Sequence, residues 1–134
     1  MSTLNPTDIR LHQKSHLLEI SFEDGANFKL PCEFLRVYSP SAEVRGHGPG
    51  QETLQVGKEG VNIIAIEPVG QYAVKLYFDD GHNSGLYDWK LLYRYGVNQA
   101  EMWQEYLDKL EQAGHQRMEP GRAAPLADEA GDKA

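Results

Sequence analysis

Cysteine occurs once, at Cys32, in a chain of 134 residues. A single thiol excludes an internal disulfide and fits a reducing compartment, so a cytoplasmic protein is expected. No window approaches the roughly 18 apolar residues that a membrane span requires. The opening MSTLNPTDIR places no apolar stretch behind a basic start, so no secretory leader is expected. Basic residues are outnumbered, 13 Lys and Arg against 20 Asp and Glu, for a net charge of −7. Backbone binding to nucleic acid depends on clustered Lys and Arg that release counterions, and that partner class is excluded on charge. No G-x-S-x-G elbow is present, and the glycines at 46, 48 and 50 lack the lysine and following helix of a phosphate-binding loop.

What remains is an ordinary soluble composition, 40% apolar and 25% charged, enough for one domain with a modest core. The last 16 residues, EPGRAAPLADEAGDKA, hold four acidic and two basic residues, so −2 of the charge lies there and −5 in the other 118. Rich in Ala, Gly and Pro and without an apolar period, this end reads as a disordered tail over 115–134. Residues 1–6 read as a flexible N-terminus and 7–114 as a single domain.

Within that domain, Ile9–Gln13, Leu17–Phe22 and Phe28–Leu30 are short extended runs separated by turn residues, closed by Pro31. The stretch from Pro40 to Gly60 reads as one long loop. Val61–Glu67 and Tyr72–Phe78 follow as strands, the second with Tyr72, Val74, Leu76 and Phe78 on one face and Ala73, Lys75 and Tyr77 on the other, and DDGHNSG turns the chain back through Leu86 and Tyr87. Asp88 can cap a short helix over Trp89, Leu92 and Tyr93. Asn98 and Glu101 suggest a capping box, with Val97 and Met102 as a hydrophobic staple, for a longer helix whose Trp103, Tyr106, Leu107 and Leu110 form an apolar stripe ending at Gly114. The fold class is therefore α+β: a small antiparallel β-meander with one short and one longer C-terminal helix.

Chemistry concentrates in YFDDGHNSGLYDW, residues 77–89. His82 could bind a metal, move a proton or simply complete a turn. A metal site needs three or four converging ligands; Cys32, His47 and His82 are the soft or imidazole groups in loop-adjacent positions, and Asp79 or Asp80 could join His82. His12 and His16 flank a turn and His115 follows a helix end, so all three read as surface residues. Asp80, His82 and Ser84 are too close in sequence to share a substrate atom readily, which leaves a hydrolase as the last of three readings. Arg36, Ser39, Ser41, Glu43 and Arg45 on one segment, with Asp80, Tyr87 and Trp89 on the other, read as a polar interaction surface.

LPCEFLRVYSPSAEVRGHG (30–48), IEPVGQYAVKLYFDDGHNSGLYDW (66–89) and the following LLYRYG together resemble the gamma-butyrobetaine hydroxylase-like N-terminal domain, over roughly residues 7–96. The resemblance implies a stand-alone member of a family whose larger relatives fuse this module to a 2-oxoglutarate- and iron-dependent catalytic domain or to an iron–sulfur-carrier ATPase. It implies an accessory module without catalytic activity of its own. It also implies a zinc site in the hydroxylases, with three cysteines and a histidine. At the matching positions this chain carries Ser39, Ser41 and Val44, and only His82 persists. The expectations are therefore a non-enzymatic cytoplasmic module with a protein partner, monomeric or weakly dimeric and with no resident cofactor. The alternative is a metal-binding protein that holds iron or zinc weakly through His82 and His47 and acts in cofactor delivery or as an oxidoreductase component.

Overall fold

A computed structural model of the chain describes residues 5–45 and 53–117. Two antiparallel three-stranded meanders form the frame. The first comprises β1 (Pro6–His12), β2 (Leu17–Phe22) and β3 (Asn27–Pro31), in the order β1-β2-β3. The second comprises β4 (Ile63–Val69), β5 (Ala73–Phe78) and β6 (Leu86–Asp88), in the order β4-β5-β6. The predicted strands are thus present, divided between two sheets.

Period-two patterning sets the inward faces. On β2, Leu18, Ile20 and Phe22 are buried, and on β5, Val74, Leu76 and Phe78 are buried. These side chains join Leu30, Phe34, Leu35, Ile63, Tyr87, Leu91, Leu92 and Tyr95 in one apolar core. Burying a single Leu, Ile or Phe contributes about 1.5–3 kcal/mol relative to exposure, so this set is the main stabilising term. The tip of the β1–β2 hairpin is tied to the start of β4: Gln13 Nε2 donates to Ile63 O at 3.1 Å, and Asn62 Nδ2 donates to Gln13 O at 3.0 Å. β4 forms an edge of its sheet and carries Pro68 in register with Val74.

Between the sheets the chain makes two helical segments within the stretch that sequence patterning reads as the end of the meander and a long loop. α1 (Cys32–Val37) follows β3 directly, and α2 spans Ala42–Arg45. Every residue of α1 is buried. A helix this short leaves most of its carbonyls without an intrahelical partner, and side chains from the other end of the chain supply donors. Tyr87 Oη donates to Leu35 O at 2.7 Å and Tyr95 Oη to Tyr38 O at 2.6 Å.

α3 (Trp89–Val97) starts as its sequence suggests, with the Asp88 side chain accepting from Leu91 N at 2.7 Å. α4 (Gln99–Gln112) places Tyr106 and Leu110 in a second apolar cluster with Val37. Its predicted capping differs. Asn98 opens α4 through its carbonyl, which accepts from Met102 N at 2.9 Å, while its Nδ2 turns back to donate to Arg94 O at 2.9 Å and closes α3. Val97 is 62% exposed and staples nothing. The two helices are too close for one side chain to cap both, and the end of α3 takes it. The far end of α4 is closed by a paired motif: Gly114 N donates to Glu111 O and His115 N to Leu110 O. Gly114 holds φ at +79°, a conformation that glycine adopts without steric cost.

The chain then returns to the body three residues past the expected domain boundary. Arg117 donates through both Nε and a terminal nitrogen to the carboxylate of buried Glu33, and its guanidinium lies 5.1 Å from the Trp103 ring centroid. Among the described residues, no helix is long and apolar enough to cross a membrane.

Candidate functional site

The residues singled out by sequence meet where the segment after α1 lies against the β5–β6 connection. Four side-chain bonds cross between the two segments. Arg36 Nε donates to Asp80 Oδ2 at 2.9 Å. Ser39 Oγ lies 2.8 Å from His82 Nε2. Ser41 Oγ lies 2.6 Å from Ser84 Oγ. Tyr87 Oη reaches back to Leu35 O. Their sequence separations run from 43 to 52 residues, so none belongs to a local turn.

Local structure explains the alignment. The end of α1 delivers Arg36, and Ser39 follows after its amide bonds to Arg36 O at 3.3 Å. Ser39 Oγ then accepts from Ser41 N at 3.2 Å, which bends the chain into α2, where Val44 N bonds to Ser41 O at 3.0 Å. On the opposite side, Gly81 N bonds to Phe78 O and Phe78 N to His82 O, closing the turn, while the Asp80 side chain accepts from His82 N at 3.1 Å. Close approach is possible because residue 85 is glycine: a Cβ there would sit 2.5 Å from Ser39 Oγ and 3.1 Å from Pro40 Cδ.

The electrostatics converge on Asp80. Burial raises its carboxyl's pKa, but donation from Lys58, from the His82 amide and from Arg36 outweighs burial and brings it down to about 2. Lys58 Nζ lies 2.6 Å from the same Oδ2 that Arg36 holds, and Arg36 also donates to Gln55 Oε1 at 2.9 Å. Asp80 is therefore an anion clamped between two cations. Cys32 is the reverse case: burial pushes its thiol up to about 11, and Sγ lies 3.5 Å from Asn62 Oδ1, so it stays a neutral thiol.

Of the residues expected on an interaction surface, Arg36, Ser39, Ser41 and Tyr87 are buried. Arg45 and Asp80 reach solvent, and Trp89 is half-buried with its indole donating to Gln71 O at 2.8 Å. His82 is buried, 6% exposed. His47 lies outside the described residues, as does the Glu43 side chain. The trio Asp80, His82 and Ser84 is not wired as a nucleophile, base and orienting acid. Asp80 takes the backbone amide of His82, and the Ser84 hydroxyl pairs with Ser41. Sequence reasoning missed Lys58, Gln55 and Gly85. Lysine and glutamine inside a polar loop give no local signal, whereas a glycine two residues before a strand aromatic was a usable hint of close approach.

The zinc site implied by resemblance can be tested on these contacts. Zinc takes thiolate, imidazole or carboxylate ligands, whereas the positions matched to the three cysteines carry two neutral hydroxyls and the alkyl side chain of Val44. His82 Nε2 is already engaged by Ser39, and both Asp80 oxygens are held by cations or an amide. Among the described residues, no three His, Cys, Asp or Glu side chains converge on a point where a cation could sit. The donor set does not fit a closed zinc site.

The gamma-butyrobetaine hydroxylase-like N-terminal family model matches residues 9–93. Two proteins with NMR solution structures share the fold. One is 51% identical, with a TM-score of 0.75, covering 98% of this chain and 93% of that one. The other is 42% identical, with a TM-score of 0.76, covering 95% and 99%. A crystal structure of a protein of unknown function from Acidithiobacillus ferrooxidans, assigned to the DUF971 family, is 38% identical with a TM-score of 0.57, covering 67% of this chain and 90% of that one. No curated protein matches. With the family model covering well over half of the chain, this protein belongs to the gamma-butyrobetaine hydroxylase-like N-terminal family.

Proposed function

We propose that the chain is a non-catalytic, cytoplasmic accessory module that docks on a protein partner through the rim formed by residues 36–45 and 80–89. One observation carries the reading: the groups able to do chemistry hold the two segments together. Ser39 is fully buried against His82, and Asp80 is clamped by Arg36 and Lys58. Four long-range bonds make the paired segments stiff, and a stiff rim binds without a large ordering cost. Its outward groups differ in kind from the buried ones: Arg45 and Ser84 are exposed, and Leu86 is 47% exposed on the short strand β6. A lone exposed leucine is ordinary, but one flanked by hydrogen-bonding side chains on a rigid edge suits a small protein contact. The cytoplasmic setting is supported by the single reduced and buried thiol. The metal-binding alternative now depends on His47, since the described neighbours of His82 are otherwise engaged.

Photo-crosslinking in cells tests the proposal. A photoreactive residue at Ser84 or Leu86 is expected to give one discrete adduct with a second protein, and one at Arg10, on the outer strand β1, to give none. Leu86→Asp in the Ser84-labelled chain should abolish the adduct while leaving thermal stability unchanged. Equal labelling from Arg10, no adduct from either rim position, or an adduct only at twice the chain's own mass overturns the reading.

A further inference from the structure

We infer that a hydroxyl network takes the place of a metal as the clasp between residues 39–44 and 82–85, so that this chain folds and keeps its native stability without any bound ion. The inference concerns how the rim is held and does not depend on whether a partner docks there.

The geometry begins with His82 Nε2 and Ser39 Oγ at 2.8 Å, both side chains buried. Either direction of that hydrogen bond closes Nε2 to a cation. If Ser39 donates, the nitrogen's lone pair is taken. If His82 donates, the nitrogen carries a proton. The next contact repeats the arrangement with oxygen alone, Ser41 Oγ to Ser84 Oγ at 2.6 Å. One hydroxyl donates to the other, and either can take the donor role because each has a proton and two lone pairs. Val44, three residues after Ser41 and 6% exposed, is an alkyl side chain that offers no donor atom to an ion.

The surroundings disfavour a cation as well. Arg36 and Lys58 sit on Asp80 beside the turn, and a divalent ion brought to that carboxylate would meet two positive charges already in contact with it. Cys32, the one thiol, stays neutral and buried on Asn62. Gly85 completes the fit by letting Ser39 and Pro40 approach the turn more closely than a side chain would allow. Buried polar groups that are fully paired specify a unique arrangement, and such pairing is the property that a structural metal otherwise supplies.

Three measurements on the full chain decide it. Purified protein dialysed against a chelator should carry less than about 0.1 equivalent of any transition metal, and its Tm should move by less than about 1 °C between EDTA and added Zn2+. Ser39→Ala should lower Tm by about 4–12 °C in both media alike; should that variant fail to fold, Ser84→Ala at the exposed end should give a smaller, equally metal-independent loss. The triple variant S39C/S41C/V44C, loaded with Co2+, should gain the visible absorption of a tetrahedral thiolate site at near one equivalent and a Tm that rises with Zn2+. A stoichiometric ion in the dialysed wild-type protein, a chelator-induced fall in its Tm, or a folded triple variant that binds no Co2+ overturns the inference.

Discussion

Replacing Tyr87 with Phe removes one oxygen and nothing else from a fully buried ring. That oxygen donates at 2.7 Å to the carbonyl of Leu35, in the last turn of a six-residue helix. Burial pushes the phenol's pKa well above its ordinary value, so it remains a proton donor across the working pH range. The substitution opens almost no cavity, and the dominant cost is a buried carbonyl left without its donor. Such orphaning costs about 1–3 kcal/mol. For a domain of this size, with an unfolding entropy of about 2.1 cal/mol/K per residue, that corresponds to a fall in Tm of about 4–12 °C. Tyr77→Phe is the matched control: its hydroxyl donates to Glu67 at 2.7 Å in a solvent-facing position, and deletion should cost less than about 0.5 kcal/mol. Differential scanning calorimetry of the two variants beside the wild type makes the comparison. Equal shifts, or a Tyr87→Phe loss below 1 °C, would refute the argument that distant tyrosines complete α1.

The clamp on Asp80 makes stability depend on acid. Its folded pKa, about 2, lies below the ordinary 3.8, so its contribution is complete above about pH 4 and lost as pH falls towards 2. After solvent screening, about 1–2 kcal/mol should disappear across that window in urea titrations, and Asp80→Asn should flatten that part of the profile. Gly85→Ala forces its new methyl against Ser39 Oγ and Pro40; a loss of about 1–3 kcal/mol in chemical denaturation is expected, against near neutrality for Asn83→Ala, an exposed position in the same turn. Arg117→Ala leaves the buried Glu33 carboxylate without its bidentate partner and should cost about 2–4 kcal/mol; adding Glu33→Gln should recover part of that loss, a non-additivity readable in a double-mutant cycle.

How much of this was legible depended on whether the signal was local. The alternation in LLEISF and in AVKLYF reports a buried sheet face directly, and Asp88 ahead of an apolar period announces α3. α1 was hidden because six residues cannot display a helical period, and Pro31, read as the end of a strand, also suits the residue at which a helix begins. The division into two sheets is a property of long-range packing that no hairpin pattern encodes. At the site, resemblance rather than spacing pointed Ser39 and Ser41 towards His82, and the contacts place these groups together. Tyr87 reads as part of the interaction surface in sequence, yet it is buried, its hydroxyl donating to a carbonyl 52 residues away that no local pattern reveals. Asn98 does stand at the start of α4, where its carbonyl accepts from Met102 N, but its side-chain amide serves the end of α3, a choice that only the spacing of the two helices in three dimensions decides.

Pro68, next to the last residue of the edge strand β4, bears on how copies of this chain can meet. A strand approaching that rim from another molecule would seek an unbroken row of amides, and at this position there is no hydrogen to offer. Growth of the sheet from one molecule into the next is therefore interrupted near the end of this border, which disfavours zipping edge to edge along it.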